Sequence, residues 1–357
     1  MYPALAVAGV LAAEHDEVLF VGTPDGLEAR LVPEAGVVFR GLRARGFDRS
    51  RPWTLVTGSL RIAASTVTAW RWFGADRPDA VLGFGGYVSI PVGFAALLRG
   101  IPLVLHEQNS VPGMANRVLS RWAERVAVTY EESAELLAHS DRVVVTGNPV
   151  RDAVAESRRD EGRRALGLPA DARVLLVFGG SRGARHLNTA LVAIRARLVA
   201  EEDLHVIHVA GAAEAPAVQT ALDAAGGDAG GRWRVLEYVN DMGSALAAAD
   251  LVVARAGATS IAEITALGLP AVLVPYPYAT DDHQTKNART MVAHGAAELV
   301  ADSELDDERF GDILLGILGD AVRRATMSDA SRALGRPDAA KRVVALLRES
   351  GASQARP

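Results

Sequence analysis

The stretch Val174-Leu175-Leu176-Val177-Phe178-Gly179-Gly180-Ser181-Arg182-Gly183-Ala184 decides how this chain is read. Five apolar residues without polar alternation describe a strand buried on both faces, as in a parallel sheet covered by helices. The glycines describe a tight turn, and Asn188 to Ala200 reads as the helix that follows it. Working outward, similar runs recur: Val18-Leu19-Phe20-Val21, Ala80-Val81-Leu82-Gly83, Leu103-Val104-Leu105, Val126-Ala127-Val128 and Val143-Val144-Val145 before it. After it come Val206-Ile207-His208-Val209, Val235-Leu236, Leu251-Val252-Val253 and Ala271-Val272-Leu273-Val274, with Ser260 to Leu267 among the intervening helical segments. The charged run Arg151 to Arg164 carries no strand signal and divides the chain into two halves of similar size. The expected fold class is therefore α/β, with two Rossmann-like doubly wound domains facing across a cleft. Their expected bounds are 1–151 and 152–336, with a C-terminal helix at 337–349 packing back on the first.

Composition narrows the function. The 357 residues are 49% hydrophobic and 23% charged, which excludes a disordered or collagen-like chain. With 38 basic against 43 acidic residues the formal charge is -5, so no nucleic-acid partner is expected. The absence of cysteine excludes disulfides, thiolate metal sites and cysteine nucleophiles. No basic segment followed by an apolar run opens the chain as a secretion signal would. The most apolar long stretch, Trp53 to Phe73, carries Arg61 and Arg71 and does not read as membrane-spanning.

Candidate functional residues gather where strands end. Gly179-Gly180-Ser181 lets backbone amides approach a phosphate at the start of a helix whose dipole favours an anion. Its spacing is not G-x-G-x-x-G, which weakens a nicotinamide reading. Gly83-Phe84-Gly85-Gly86-Tyr87 forms a second loop of this kind, with turn geometry an equal reading. His106-Glu107-Gln108-Asn109 places four polar groups at a strand's carboxyl end, where a carboxylate can serve as general base or the group can cap a helix. In Arg255-Ala256-Gly257-Ala258-Thr259-Ser260-Ile261-Ala262-Glu263 the acid lies inside a helix start, suited to a ribose diol or to the helix dipole. Asp281-Asp282-His283-Gln284 is a poor metal-ligand set and suits sugar hydroxyls better.

Together with Tyr2-Pro3-Ala4-Leu5-Ala6-Val7-Ala8 and Gly147-Asn148-Pro149-Val150-Arg151, these motifs closely resemble the MurG family, in order and spacing, from residue 1 to about 348. The resemblance implies a two-Rossmann-domain (GT-B) enzyme that transfers GlcNAc from UDP-GlcNAc to the C4 hydroxyl of undecaprenyl-diphosphate-linked muramyl pentapeptide, with inversion, in peptidoglycan synthesis. It implies donor phosphate contact by Ser181 with Gly179 and Gly180, ribose contact by Glu263, and a nucleotide wrap of Ala258, Thr259, Ser260, Ile261 and Ala262 with Val239 beside the uracil. It further implies GlcNAc contact by His283 and Gln284, donor contact by Asn109 and Arg151, and acceptor diphosphate at Gly85, Gly86 and Tyr87. Glu107 is a candidate base, and the family's other candidate is a histidine in its first glycine loop. No cofactor and no metal are implied, and the expected place is peripheral on the cytoplasmic face of the cell membrane.

The sequence departs from that pattern at its start. Pro3 to Ala13 reads as an Ala-rich amphipathic helix leading into the strand at Val18, where a doubly wound unit begins with a strand. The family places a strand and a Gly-Gly-Thr-Gly-Gly-His-like turn before Tyr2-Pro3-Ala4. The expectation is that the reading frame continues upstream of Met1 by about 15 residues. Smaller departures are Arg182, where Gln is common, and Thr259-Ser260. Two other readings use the same nucleotide contacts: another sugar-nucleotide enzyme such as a UDP-GlcNAc epimerase, and a donor-binding remnant without activity. Finally, Arg40, Arg43, Arg45, Arg49, Arg51, Arg61 and Arg71 are mixed with Trp53, Leu60, Trp70 and Trp72. That mixture suits an anionic membrane surface, or tryptophans packed inside the first domain.

Overall fold

The computed structural model describes residues 1–44, 53–180, 184–306 and 308–354. The chain divides into two compact units, Met1–Arg151 with Asp338–Pro357, and Asp152–Pro337. In the first unit β1 (Leu19–Gly22) pairs in parallel with β2 (Val38–Gly41). A separate parallel sheet runs in the order β3 (Val81–Gly83), β4 (Leu103–Glu107), β5 (Arg125–Val128) and β6 (Val143–Val145).

The second unit holds β7 (Arg173–Phe178), β8 (Leu204–Val209), β9 (Trp233–Leu236), β10 (Leu251–Ala254), β11 (Ala271–Leu273) and β12 (Ala297–Leu299). Its sheet order is β12-β11-β10-β7-β8-β9, with every pair parallel. Counted from β7 this is the doubly wound order 3-2-1-4-5-6. Measured against it, the first unit presents positions 3-2 as one sheet and positions 4-5-6 with one further strand as another, with no described strand joining β1 to β3. Burial follows the same line. Every residue of β4 and β10 is buried, whereas Leu19, Phe20, Val21, Val81 and Leu82 are only half-buried.

Helices cover the sheets by ordinary apolar stripes. Helix Glu308–Gly319 buries Phe310, Leu314, Ile317 and Leu318 against Leu175, Val177 and Leu251. In the first unit Leu103, Leu105, Val126 and Val128 pack on Leu119. The C-terminal helix Ala339–Gln354 packs Val343 and Val344 on Ala6, Val7 and Val10 of helix Tyr2–Ala13, and on Ala127 of β5.

Several sequence expectations shift in detail. Helix Tyr2–Ala13 is not amphipathic: the consecutive residues Ala6, Val7 and Ala8 are all buried, so it is covered over more than one stripe. The segment expected as one helix from Asn188 is two, Arg185–Ala193 and Arg195–Val199, beginning close behind the glycine turn. Strands β2 and β12 escaped the apolar-run criterion because Arg40 and Glu298 interrupt them. Trp53–Ala75 is a single helix, and none among the described residues is long and apolar enough to cross a membrane.

Candidate active site

In the second unit the sheet order reverses between β7 and β10, which creates a crevice outside their carboxyl ends. The two loops at that point are Gly179 to Ala184 and Arg255 to Gly257. Gly180 adopts φ +74°, a left-handed conformation that glycine takes without a Cβ clash. Ser181, Arg182 and Gly183 lie outside the described residues, so the phosphate contact expected of Ser181 has no geometry here. Helix Ala258–Ala266 starts at Gly257 without a side-chain cap. Its first-turn amides have no intrahelical acceptor, and they form the positive end of the helix. Ala258 and Ile261 are buried beneath it, while Thr259, Ser260 and Ala262 are half-exposed. Glu263 is buried on the same helix, and Val239 is half-buried in the loop after β9.

Arg255, 7% exposed, braces this end of the sheet. Its Nη1 donates to the carbonyls of Val274 at 3.3 Å and Pro275 at 3.1 Å, and lies 2.6 Å from Asp302 Oδ1. One guanidinium therefore links the ends of β10, β11 and β12. The other carboxylate oxygen of Asp302 is 2.9 Å from His186 Nδ1, and His186 Nε2 is 3.0 Å from Asp306 Oδ2. Because His186 is the second residue of the helix behind the glycine loop, this charged chain joins the two loops of the crevice.

A third element reaches the same place. Helix His283–Ala293 follows a turn in which Asp281 and Asp282 both have φ near +50°, at 52° and 53°. Consecutive left-handed non-glycine residues are strained and persist where the surroundings fix them. Gln284 Oε1 accepts from the Tyr276 N–H at 2.9 Å, which orients its amide, and His283 Nδ1 sits 2.6 Å from the Thr280 carbonyl. Asn287, fully buried one turn further, donates to the Ala256 carbonyl at 3.4 Å.

The first unit carries its own polar cluster at the end of β4. Burial pushes His106 down to about 4, so the ring is neutral. Its Nε2–H donates to the Gly147 carbonyl at 2.9 Å, and Nδ1 accepts from Gln108 at 3.1 Å. The ring lies 5.4 Å from that of Phe84 in the second glycine loop. Glu107 is 2% exposed, with Oε1 accepting from the Asn109 N–H at 3.0 Å. Its Oε2 accepts from the Gly113 N–H at 2.9 Å and from Asn116 at 2.8 Å. A buried carboxylate with both oxygens so engaged holds a loop together. These bonds organise residues 108–116, and a proton taken by Glu107 would compete with them. Gly85 and Gly86 have φ +77° and +75°, and Tyr87, 54% exposed, stands at the start of helix Gly86–Leu98. The Arg151 guanidinium lies 4.8 Å from the Tyr2 ring.

Comparison with known proteins fits this geometry. The glycosyltransferase family 28 N-terminal domain matches residues 1–128, and the family's C-terminal domain matches 174–343. A Desulfitobacterium hafniense (strain Y51) protein is 43% identical over 350 residues, spanning 96% of this chain and 94% of its own length. It is named UDP-N-acetylglucosamine–N-acetylmuramyl-(pentapeptide) pyrophosphoryl-undecaprenol N-acetylglucosamine transferase. The crystal structure of Acinetobacter baumannii MurG superposes with a TM-score of 0.76 at 31% identity, covering 98% of this chain and 95% of that one. The chain belongs to the MurG family of glycosyltransferases. The family fold is shared more widely: Neisseria meningitidis UDP-GlcNAc 2-epimerase gives a TM-score of 0.67 at 15% identity, covering 98% and 96%.

In this MurG family member, Gly179 and Gly180 follow β7, Ala258, Thr259, Ser260 and Glu263 belong to the helix after β10, and Gln284 is held by the loop after β11. Asn109, Gly85, Gly86 and Tyr87 belong to loops of the first unit. Sequence reasoning missed Arg255 as a brace, together with His186, Asp302 and Asn287. Only the Arg255 position at a strand end was a signal, since its partners lie 19 to 47 residues away in the sequence.

The cluster has a pH signature. Hydrogen bonds donated by His186 to Asp302 and then to Asp306 hold its pKa above the ordinary 6.5. Burial opposes the charge of Asp302, yet hydrogen bonds with His186 and Arg255 prevail and hold it below its ordinary 3.8. A raised histidine stabilises the fold fully below its unfolded pKa and loses that contribution as pH rises through the folded value. The lowered aspartate contributes above its unfolded pKa and loses it as pH falls through the folded value. The melting-temperature difference between wild type and His186→Gln should therefore be largest at about pH 5–6 and shrink above about pH 7. A difference that does not change with pH would mean that His186 is neutral in this cluster.

Proposed function

We propose that this chain transfers GlcNAc from UDP-GlcNAc to the C4 hydroxyl of undecaprenyl-diphosphate-linked muramyl pentapeptide, completing the second lipid-linked precursor of peptidoglycan. The observation that carries this reading is near-full-length similarity to a transferase of that name, at 43% identity, in a chain whose second unit has a crevice at its topological switch point. The second unit takes the donor. Diphosphate lies on the glycine loop, the ribose diol on Glu263, uracil beside Val239, and GlcNAc hydroxyls on Gln284 and His283. Asn109 and Arg151 of the first unit complete the donor contacts, and Gly85, Gly86 and Tyr87 meet the acceptor diphosphate.

In the reaction the acceptor oxygen attacks the anomeric carbon from the face opposite UDP. The bond from that carbon to the diphosphate oxygen breaks, UDP leaves with the electron pair, and the C4 hydroxyl gives its proton to a general base or to solvent water. Oriented amides at the start of helix Ala258–Ala266 and along the glycine loop suit the charge that develops on UDP. The test is transfer of labelled GlcNAc to a lipid-linked muramyl-peptide diphosphate. Donor hydrolysis without transfer, or conversion of UDP-GlcNAc to its 2-epimer, would replace this reading with another.

A peripheral place on the cytoplasmic face of the membrane belongs to the same proposal, and helix Trp53–Ala75 supports it. Ser65, Ala69 and Phe73 are buried on one face, while Leu60 is 67%, Val67 48% and Trp70 39% exposed on the other, between exposed Arg61 and Arg71. Arg99 stacks 3.7 Å from the Trp70 ring, whereas Trp72 is half-buried with Arg40 at 5.7 Å. The arginines expected at 45, 49 and 51 lie outside the described residues, as does the side chain of Trp53. Flotation with anionic vesicles should show binding that falls with salt and drops in a Leu60→Gln/Trp70→Gln variant. Equal binding to neutral vesicles would remove this surface from the proposal.

A further inference from the structure

We infer that a cavity at the opposite end of the second sheet is a binding site for a small phosphate-bearing anion. It encloses about 320 Å³ and is lined by Arg159, Asp250, Arg324, Ser328, Arg332 and the loop Leu267–Pro270. Asp250 precedes β10 and Pro270 precedes β11, so the cavity lies at the amino ends of these strands. It is about 13 Å, the length of a four-residue strand, from the Arg255 loop.

Charge and shape both point to an anion. Arg324, Ser328 and Arg332 recur every fourth residue along helix Ala321–Leu334 and therefore share one face. Three guanidinium groups line the cavity against one carboxylate, and that carboxylate is already committed. Asp250 is 2.5 Å from Arg159 and 2.9 Å from the buried Arg163, and it accepts the Val174 N–H at 2.8 Å. Arg324 donates to the Ile317 carbonyl at 3.1 Å, which satisfies a helix end but cancels no charge. Arg332 reaches Asp329 at 3.4 Å, an exposed pair on its own helix that contributes little. Guanidinium groups therefore outnumber carboxylates along the lining by three to one, and a planar guanidinium suits phosphate oxygens.

Its placement is held by the fold. Gly268 has φ +66°, and a Cβ there would lie 3.0 Å from Arg332 Cβ and Nε, so glycine leaves the room that the arginine occupies. Ser328 Oγ donates to the Gly268 carbonyl at 2.6 Å, fixing the loop on the helix. Ala247, Ala249 and Leu269 give the floor an apolar character that admits the carbon skeleton of a phosphate ester.

The experiment is calorimetric titration of the full chain with inorganic pyrophosphate and, separately, with glycerol 3-phosphate. Both are run after saturation with UDP, so that the switch-point loops are already filled. The UDP isotherm is recorded first, which keeps failure of the donor site distinct from failure of this one. The expected result is saturable binding of at least one probe, at one per chain, weakened about tenfold by Arg332→Gln with UDP affinity unchanged. The tighter probe identifies the source, a bare diphosphate or an organic ester. Failure of both probes to bind, or equal affinity in wild type and in a folded Arg332→Gln variant, overturns the assignment. Because Arg332 is more than half exposed, the substitution leaves the core untouched.

Discussion

Glu263→Ala is expected to weaken UDP binding by about ten- to a hundredfold. The carboxylate is 7% exposed in helix Ala258–Ala266, whose first turn faces the crevice between the β7 and β10 loops. Two ribose hydroxyls donating to an ionised acid make charge-assisted hydrogen bonds, each worth on the order of 1.5–3 kcal/mol. Alanine is a strong helix former, so the helix itself persists. Glu263→Gln retains an acceptor oxygen but loses the charge, and should fall between alanine and wild type. Calorimetry decides the matter: wild-type UDP affinity in a folded Glu263→Ala variant would falsify the ribose contact.

An added strand is expected to have the other large effect. One edge of β1 and one of β3 have no described strand neighbour, and the apolar residues Leu19, Phe20, Val21, Val81 and Leu82 are only half-buried. A parallel strand between them would pair the backbone groups of both edges and cover those side chains. Each buried, unsatisfied group costs on the order of 1–3 kcal/mol, against a domain stability of about 5–15 kcal/mol. A form of the protein carrying an apolar strand and a glycine-rich turn ahead of Tyr2 should melt at least about 5 °C higher, at roughly 2–4 °C per kcal/mol. If the turn also meets a substrate phosphate, as strand-end glycine loops do, GlcNAc transfer should rise well beyond the stability gain. An extended form with the same melting temperature and hydrogen-exchange protection of β1 and β3 would show that no strand enters there.

Local sequence was informative wherever chemistry and neighbourhood coincide along the chain. The run Val174 to Phe178 is buried from end to end, so its composition alone specified a central strand. Gly179-Gly180 and Arg255-Ala256-Gly257 follow strands directly, so both were legible as strand-end loops, and the order of six motifs pointed to the MurG family. Glu107 shows where that reading stops. A carboxylate at a strand end suits a base or a scaffold equally, and the bonds from Asn109, Gly113 and Asn116 that make it a scaffold depend on the path of the following loop.

Three features were decided by the tertiary structure alone. Sheet order is one: periodicity says that strands exist, but only hydrogen-bond partners place β7 beside β10 and separate β1 from β3. The Arg255–Asp302–His186 chain is another, since its members stand 47 and 116 residues apart and meet only because β10 and β12 end, and the helix after β7 begins, at the same edge. The cavity of Arg159, Arg324 and Arg332 is the third. In sequence these are unremarkable surface arginines, and their charges add up only because folding brings two distant helices and one loop within a few ångströms. Sequence carries what neighbouring residues determine; long-range electrostatics and strand pairing belong to the folded chain.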